Sequence, residues 1–136
     1  MEAHYKLSDT EFENQFKACR IDPMIFSHEA HFRLAWIHIN KYGMAQALEN
    51  IQTQLKSFVA FVGSKDKYNT TLTIAAISAV NHFIQRSHSS NFKDFIKEFP
   101  RLKNNFKALI KSHYSFDVFN SKKAKRKYLQ PDIQPF

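Results

Sequence analysis

Two histidines three residues apart, His28 and His31, stand near the start of the run Phe26-Ser27-His28-Glu29-Ala30-His31-Phe32-Arg33-Leu34-Ala35-Trp36, which holds the single tryptophan. On a helix a three-residue step brings both imidazoles to one face. With His28 at zero and about 100° per residue, His31 falls near −60° and His38 near −80°. All three border the apolar stripe of Phe32, Ala35, Trp36 and Ile39. Neutral imidazoles so placed could hold a divalent transition metal if another element supplied the remaining ligands. They could also work as acid/base groups near neutrality. The competing role is hydrogen bonding and packing within a helical core. His38 lies about 10 Å further along the axis than His31 and cannot share an ion with it.

The strong metal motifs are missing. His28-Glu29-Ala30-His31 is one residue short of H-E-x-x-H, and Glu-x-x-His does not occur. No carboxylate sits in an obviously buried apolar run. Arg33 is expected to pair with Glu29, its i−4 neighbour.

A second polar cluster is Lys67-Tyr68-Asn69-Thr70-Thr71-Leu72-Thr73. Here Asn69, Thr70 and Thr73 bring hydrogen-bonding groups to a helix start, where unpaired N–H groups favour an anion. Capping explains one of these residues but not all.

The third cluster is basic: Ser121-Lys122-Lys123-Ala124-Lys125-Arg126-Lys127-Tyr128. In a nucleic-acid binder Lys122, Lys123, Lys125, Arg126 and Lys127 would contact phosphates, with Tyr128 available to stack. No known reader motif accompanies them, and a solvated helix end is the plainer reading. Charge is lopsided along the chain. Residues 1–68 carry eight Lys/Arg and eight Asp/Glu; residues 69–136 carry twelve and four, the whole excess of +8. Such asymmetry can mark an anionic partner.

The elements that must position these groups are helical. Fourteen phenylalanines stand against two glycines and four prolines, little material for the turns of a β fold. Ser8 or Asp9 should cap a first helix, with Glu11 near a capping-box position and Phe12 and Phe16 as its buried face. Ser27 caps a second helix to about Tyr42, and Gly43 follows it in a left-handed conformation. A third, Met44 to about Val62, stacks Ala47, Leu48, Ile51, Leu55, Phe58 and Val62 on one side and ends at Gly63. A fourth, from about Asn69 to Arg86, is apolar almost all round and reads as the central element. Asn91 or Ser90 caps a fifth through Phe99. Pro100 suits the first turn of a sixth to about His113, carrying Leu102, Phe106, Leu109 and Ile110. The chain is therefore all-α, a compact bundle of five or six helices with an extended Pro-containing C-terminal tail.

At 136 residues the length fits a single helical domain over 1–136, its core at about 8–113 and a basic segment at 121–136. Lone Cys19 forms no internal disulfide and no cysteine cluster could hold zinc. The opening residues lack a signal-peptide h-region, and the longest apolar run, Ser57 to Gly63, is too short for a span. A cytoplasmic protein without a membrane segment is expected.

Four ordered motifs resemble a family of small bacterial proteins with no established activity. Its members read roughly F-x-H-x-x-H-L-R-L-A-W, then K-Y-H-x-T-x-T, then Y-S, then P-D-hydrophobic-x-P. The counterparts are Phe26 to Trp36, Lys67 to Thr73, Tyr114-Ser115 and Pro131-Asp132-Ile133-Gln134-Pro135. The resemblance implies a pocket between the second and fourth helices that gathers His28, His31, Tyr68, Thr70 and Thr73. Asn69 replaces the family's third histidine, and its amide oxygen binds transition metals weakly. The function expected is therefore small-molecule binding, with Trp36 and Asn69 completing the candidate site. It would be enzymatic if His28 and His31 act as acid/base groups or ligands of a divalent transition metal, with Tyr68 as a hydrogen-bond donor. The alternative is a non-catalytic module whose basic half meets an anionic partner, nucleic acid or acidic protein.

Overall fold

The computed structural model describes residues Met1–Phe136, and its regular structure is all helical, without strands. It divides into two compact units, Met1–Tyr68 and Asn69–Phe136. No helix is long and apolar enough to cross a membrane.

The first unit opens with a 3₁₀ turn over Ala3–Lys6. Helix α1, Asp9–Lys17, begins in a full capping box: Ser8 Oγ accepts from Glu11 N, and the Glu11 carboxylate accepts from Ser8 N. Its buried Phe12 and Phe16 follow the predicted face. Helix α2, His28–Tyr42, starts at Ser27, whose hydroxyl accepts from Ala30 N. Gly43 alone joins it to α3, Met44–Phe61. At φ +83° and ψ 166° Gly43 is extended at positive φ, a region essentially confined to glycine. It thus ends α2 and starts α3, whereas a left-handed C-cap was expected. Gly63, at φ +77°, follows α3 as predicted, and a 3₁₀ turn over Lys65–Lys67 leads out. Helices α1, α2 and α3 pack mutually. Phe16, Phe26 and Phe58 meet between them with ring centroids 4.8 to 5.3 Å apart.

The second unit is built on α4, Thr70–Ile84, with Asn69 as its N-cap. Helix α5, Phe92–Glu98, is capped by Asn91. The single helix expected after Pro100 is instead two, α6 (Arg101–Asn104) and α7 (Phe106–Lys111). Asn105 interrupts them at φ −134°, ψ 32°, and Pro100 is an N-cap instead of a first-turn residue. Buried Leu102, Phe106, Leu109 and Ile110 still share one side across the break. Helix α8, Lys122–Arg126, packs on α4 through fully buried Ala124. With this split and the 3₁₀ turns set apart, the α-helices number eight, more than the five or six that periodicity suggests.

The tail is extended, as its prolines require, and hydrogen bonds hold it down. Tyr114 donates to the Leu129 carbonyl at 2.9 Å, and His113 Nδ1 lies 2.9 Å from the Gln134 carbonyl. Ile133 N donates to the His113 carbonyl at 3.0 Å. The Asp132 carboxylate accepts from both N–H and O–H of Ser115. Phe136 stacks on His113 with centroids 3.9 Å apart.

Candidate functional site

In the first turn of α2, His28 and His31 are both exposed. His31 Nδ1 lies 2.7 Å from the Ser27 carbonyl, so Nδ1 carries the proton and Nε2 keeps its lone pair. Its ring rests on Phe26 at 4.0 Å, while His28 meets Phe32 edge-on at 4.6 Å. A tautomer fixed through Nδ1, with the lone pair on the second nitrogen, is the usual preparation of a ligating imidazole. Trp36, further along α2, lines an open cleft of about 280 Å³ with Asp9, Glu13 and Lys41. Tyr68 is half-buried, with Lys56 Nζ 5.4 Å from its ring centre.

The most connected polar group of this unit escaped the sequence reading. Fully buried His4 places Nε2 2.7 Å from Glu29 and 3.4 Å from Glu2. Glu2 also accepts from the Ser27 hydroxyl. Arg33 does not take its expected place on Glu29. Its guanidinium donates to the carbonyls of His4 (2.7 Å) and Leu7 (2.9 Å) and to Asp9 (2.9 Å). It also lies 4.8 Å from the Phe12 ring centre and 5.6 Å from that of Tyr5. Burial, then the Glu29 charge, pushes the Tyr5 phenol above its ordinary range. Buried carboxylates thus exist at Glu29 and Glu13, contrary to the apolar-run expectation. Glu29 sits one residue beyond His28 on a helix too apolar to keep every side chain wet, and that was the available signal.

Ligand atoms of Glu2, His4 and Glu29 lie within 4.8 Å of one another, close enough to surround a cation. The tautomer opposes it. Arg33 Nη1 stands 3.4 Å from His4 Nδ1, which must therefore accept, leaving the proton on Nε2 to donate to Glu29. A ligating Nε2 would need that proton on Nδ1, facing a guanidinium. The group is a hydrogen-bonded clasp for the opening residues.

His38 is wholly buried, and its Nε2 has no hydrogen-bond partner. Asn50 Oδ1 accepts from Gln46, so the Asn50 amide N–H points at His38 Nδ1 (3.4 Å) and the ring proton sits on the orphan Nε2. Burial holds His38 below the ordinary histidine range. Glu13 of α1 pulls the other way, while Lys41 of α2 and Lys17 of α1 add to the depression. Burial raises Glu13 itself, but hydrogen bonds from Tyr42 and Lys41 outweigh it and leave the carboxyl low. The unfolded chain takes up a proton on this histidine near pH 6.5, and the folded one does not. Stability from this group is therefore full above about pH 6.5 and declines as pH falls below it. Urea midpoints should drop between pH 7.5 and 5.5, and His38→Phe should flatten that dependence. An equally steep drop in the variant would show that other groups carry it.

In the second unit, the Asn69 side chain accepts from Leu72 N at 2.9 Å and donates to the Val118 carbonyl at 2.8 Å. Thr73 donates back to the Asn69 carbonyl at 2.7 Å. Thr70 is half-buried. Thr71, not singled out from sequence, donates to the Lys127 carbonyl (2.8 Å) and accepts from Leu129 N (3.0 Å). Asn69 and Thr71 thus fasten residues some fifty positions away, while Thr73 bonds within its own turn.

Around α8, Lys122, Lys123, Arg126 and Lys127 are exposed and Lys125 is half-buried, with Tyr128 38% exposed beside them. Each carboxylate of this unit is held by neutral donors. Asp94 accepts from Asn91, Glu98 from Ser87, Ser89 and His88 N, Asp117 from Asn120 and two backbone N–H groups, and Asp132 from Ser115. An open cleft of about 560 Å³ adjoins α8, lined by Phe116, Asp117, Asn120, Ser121, Lys123 and Leu129.

No protein-family model, curated protein or solved structure matches this chain.

Proposed function

We propose that the protein is a non-catalytic binding module whose unit Asn69–Phe136 receives an anionic partner. The partition of charge carries the reading. The whole +8 excess lies in residues 69–136, and that unit's four carboxylates are engaged by Ser, Asn and backbone donors. Lys122, Lys123, Lys125, Arg126 and Lys127 form its densest basic stretch, mounted outward by the buried Ala124. Heparin is the simplest probe. Binding at 50 mM salt should weaken about a hundredfold at 200 mM if some five charges are engaged. It should fall to background when all five residues become glutamine. Absence of binding at low salt, or binding that ignores salt, overturns the reading.

A second reading has its own observation. The Nε2 lone pair of His31, its tautomer locked by Ser27, beside exposed His28, suits a small-molecule or divalent transition-metal ligand on α2. Elemental analysis after supplementation with iron, zinc, manganese and copper tests the metal form. It expects stoichiometric metal that is lost in the His28→Ala/His31→Ala double variant, and an empty wild-type protein sinks it.

A further inference from the structure

Resting on the anionic-partner reading, we infer that the partner is single-stranded nucleic acid, with one base seated in the cleft beside α8 and its backbone crossing Lys122 to Lys127. The cleft is the size of a small-molecule site and mixes two kinds of wall. Phe116 and Leu129 supply apolar surface. Both are fixed: Phe116 packs edge-on against buried Tyr114 at 5.4 Å, and Leu129 is gripped through its N–H by Thr71 and through its carbonyl by Tyr114. A flat aromatic group can lie on such a wall without ordering it, so little side-chain entropy is lost on binding.

The polar wall decides what kind of aromatic group. Asp117 stands in the cleft beside Asn120, and hydrogen bonds from the Asn120 side chain and the Phe119 and Asn120 N–H groups hold its carboxyl below the ordinary range. An ionised carboxylate there repels a phosphate but accepts from an amino group. Three donors occupy three of its roughly four acceptor sites, which leaves one for a ligand. Phosphates are thereby directed to Arg126 and the exposed lysines, Lys123 of the cleft lining among them, while Asp117 asks for a base edge that donates. Cytosine offers its N4 amino group to such an acceptor; thymine presents a carbonyl at that position and would face Asp117 oxygen to oxygen. A duplex still shows the cytosine amino group in its major groove, but its stacked bases cannot lay a face on Phe116 and Leu129. Half-exposed Tyr128, next to Lys127, gives the neighbouring base a second surface to stack on.

The experiment compares fluorescein-labelled twelve-residue oligo-dC and oligo-dT with heparin and polyglutamate, by anisotropy at fixed salt and pH 7.5. Oligo-dC should bind about tenfold or more tighter than oligo-dT, as one good carboxylate–amino contact allows. Asp117→Asn should erase the preference by bringing oligo-dC down to the level of oligo-dT. Phe116→Leu, which keeps the wall apolar but removes the ring, should weaken both oligonucleotides and leave heparin unchanged. If heparin binds and the oligonucleotides are not discriminated, or Phe116→Leu has no effect, the base-in-cleft inference fails and the basic-surface reading stands. If polyglutamate binds and oligonucleotides do not, the partner is an acidic polypeptide and the inference fails. If nothing binds, both fall together.

Discussion

Replacing Arg33 with methionine should destabilise the first unit by about 3–4 kcal/mol, approaching the cost of breaking a buried ion pair. The side chain is 4% exposed and serves four acceptors at once, the His4 ring among them. Asp9, half-exposed, can return to water when the guanidinium goes. The carbonyl of fully buried His4 keeps its bond from Leu7 N but loses a charge-assisted one, worth about 1.5–3 kcal/mol. Loss of the guanidinium from the rings of Phe12 and Tyr5 adds about 1 kcal/mol more. Arg33→Lys keeps the charge but not the fork that spans His4, Leu7 and Asp9, and should recover only part of the loss. Urea unfolding followed by Trp36 emission reads this directly, since the only tryptophan lies in α2 of the same unit. A methionine variant within about 1 kcal/mol of wild type would show the clasp to be incidental.

Phe16→Ala should cost as much or more, about 3–5 kcal/mol. Phe16 has no exposed surface, and its ring touches Phe26 at 4.8 Å and Phe58 at 5.2 Å. It is therefore where α1, the segment before α2 and α3 share one contact. Three elements converging on one side chain cannot all move in to close the hole. Phe16→Leu keeps most of the volume and should lose under about 1.5 kcal/mol. The same unfolding measurement distinguishes the two, and equal losses would mean that ring contacts matter beyond volume.

What the sequence made legible is local. Ser27 caps the helix it was expected to cap, Ser8 and Asn91 are the caps where two residues each stood open, and Asn69 caps the helix expected to start near it, because a cap is made within three or four residues. Gly43 and Gly63 mark their boundaries for the same reason, although Gly43 adopts an extended form because α3 begins at once. The long-range partners were not legible. His4 meets Glu29 across 25 positions and Thr71 meets Leu129 across 58, distances at which one chain carries no periodic signal. Arg33 illustrates the bias: its sequence neighbour Glu29 looked sufficient, but the folded opening residues bring two carbonyls and Asp9 within reach. The break at Asn105 was hidden because Leu102, Phe106, Leu109 and Ile110 keep their spacing through it. Of the candidate site, the exposure of the basic stretch could be read from composition, whereas the cleft beside it depends on how the tail returns past Tyr114.

That return has a consequence for the order of events during translation. The contacts that define the first unit are complete once Tyr68 has been synthesised, so this unit can fold while the ribosome is still at work. The second unit cannot close until Leu129, Asp132 and Gln134 have emerged to meet Thr71, Ser115 and His113. Its helices must therefore wait, basic and incompletely packed, until that segment joins them. Folding is vectorial here: the second unit closes only when residues 129–134 have followed its helices.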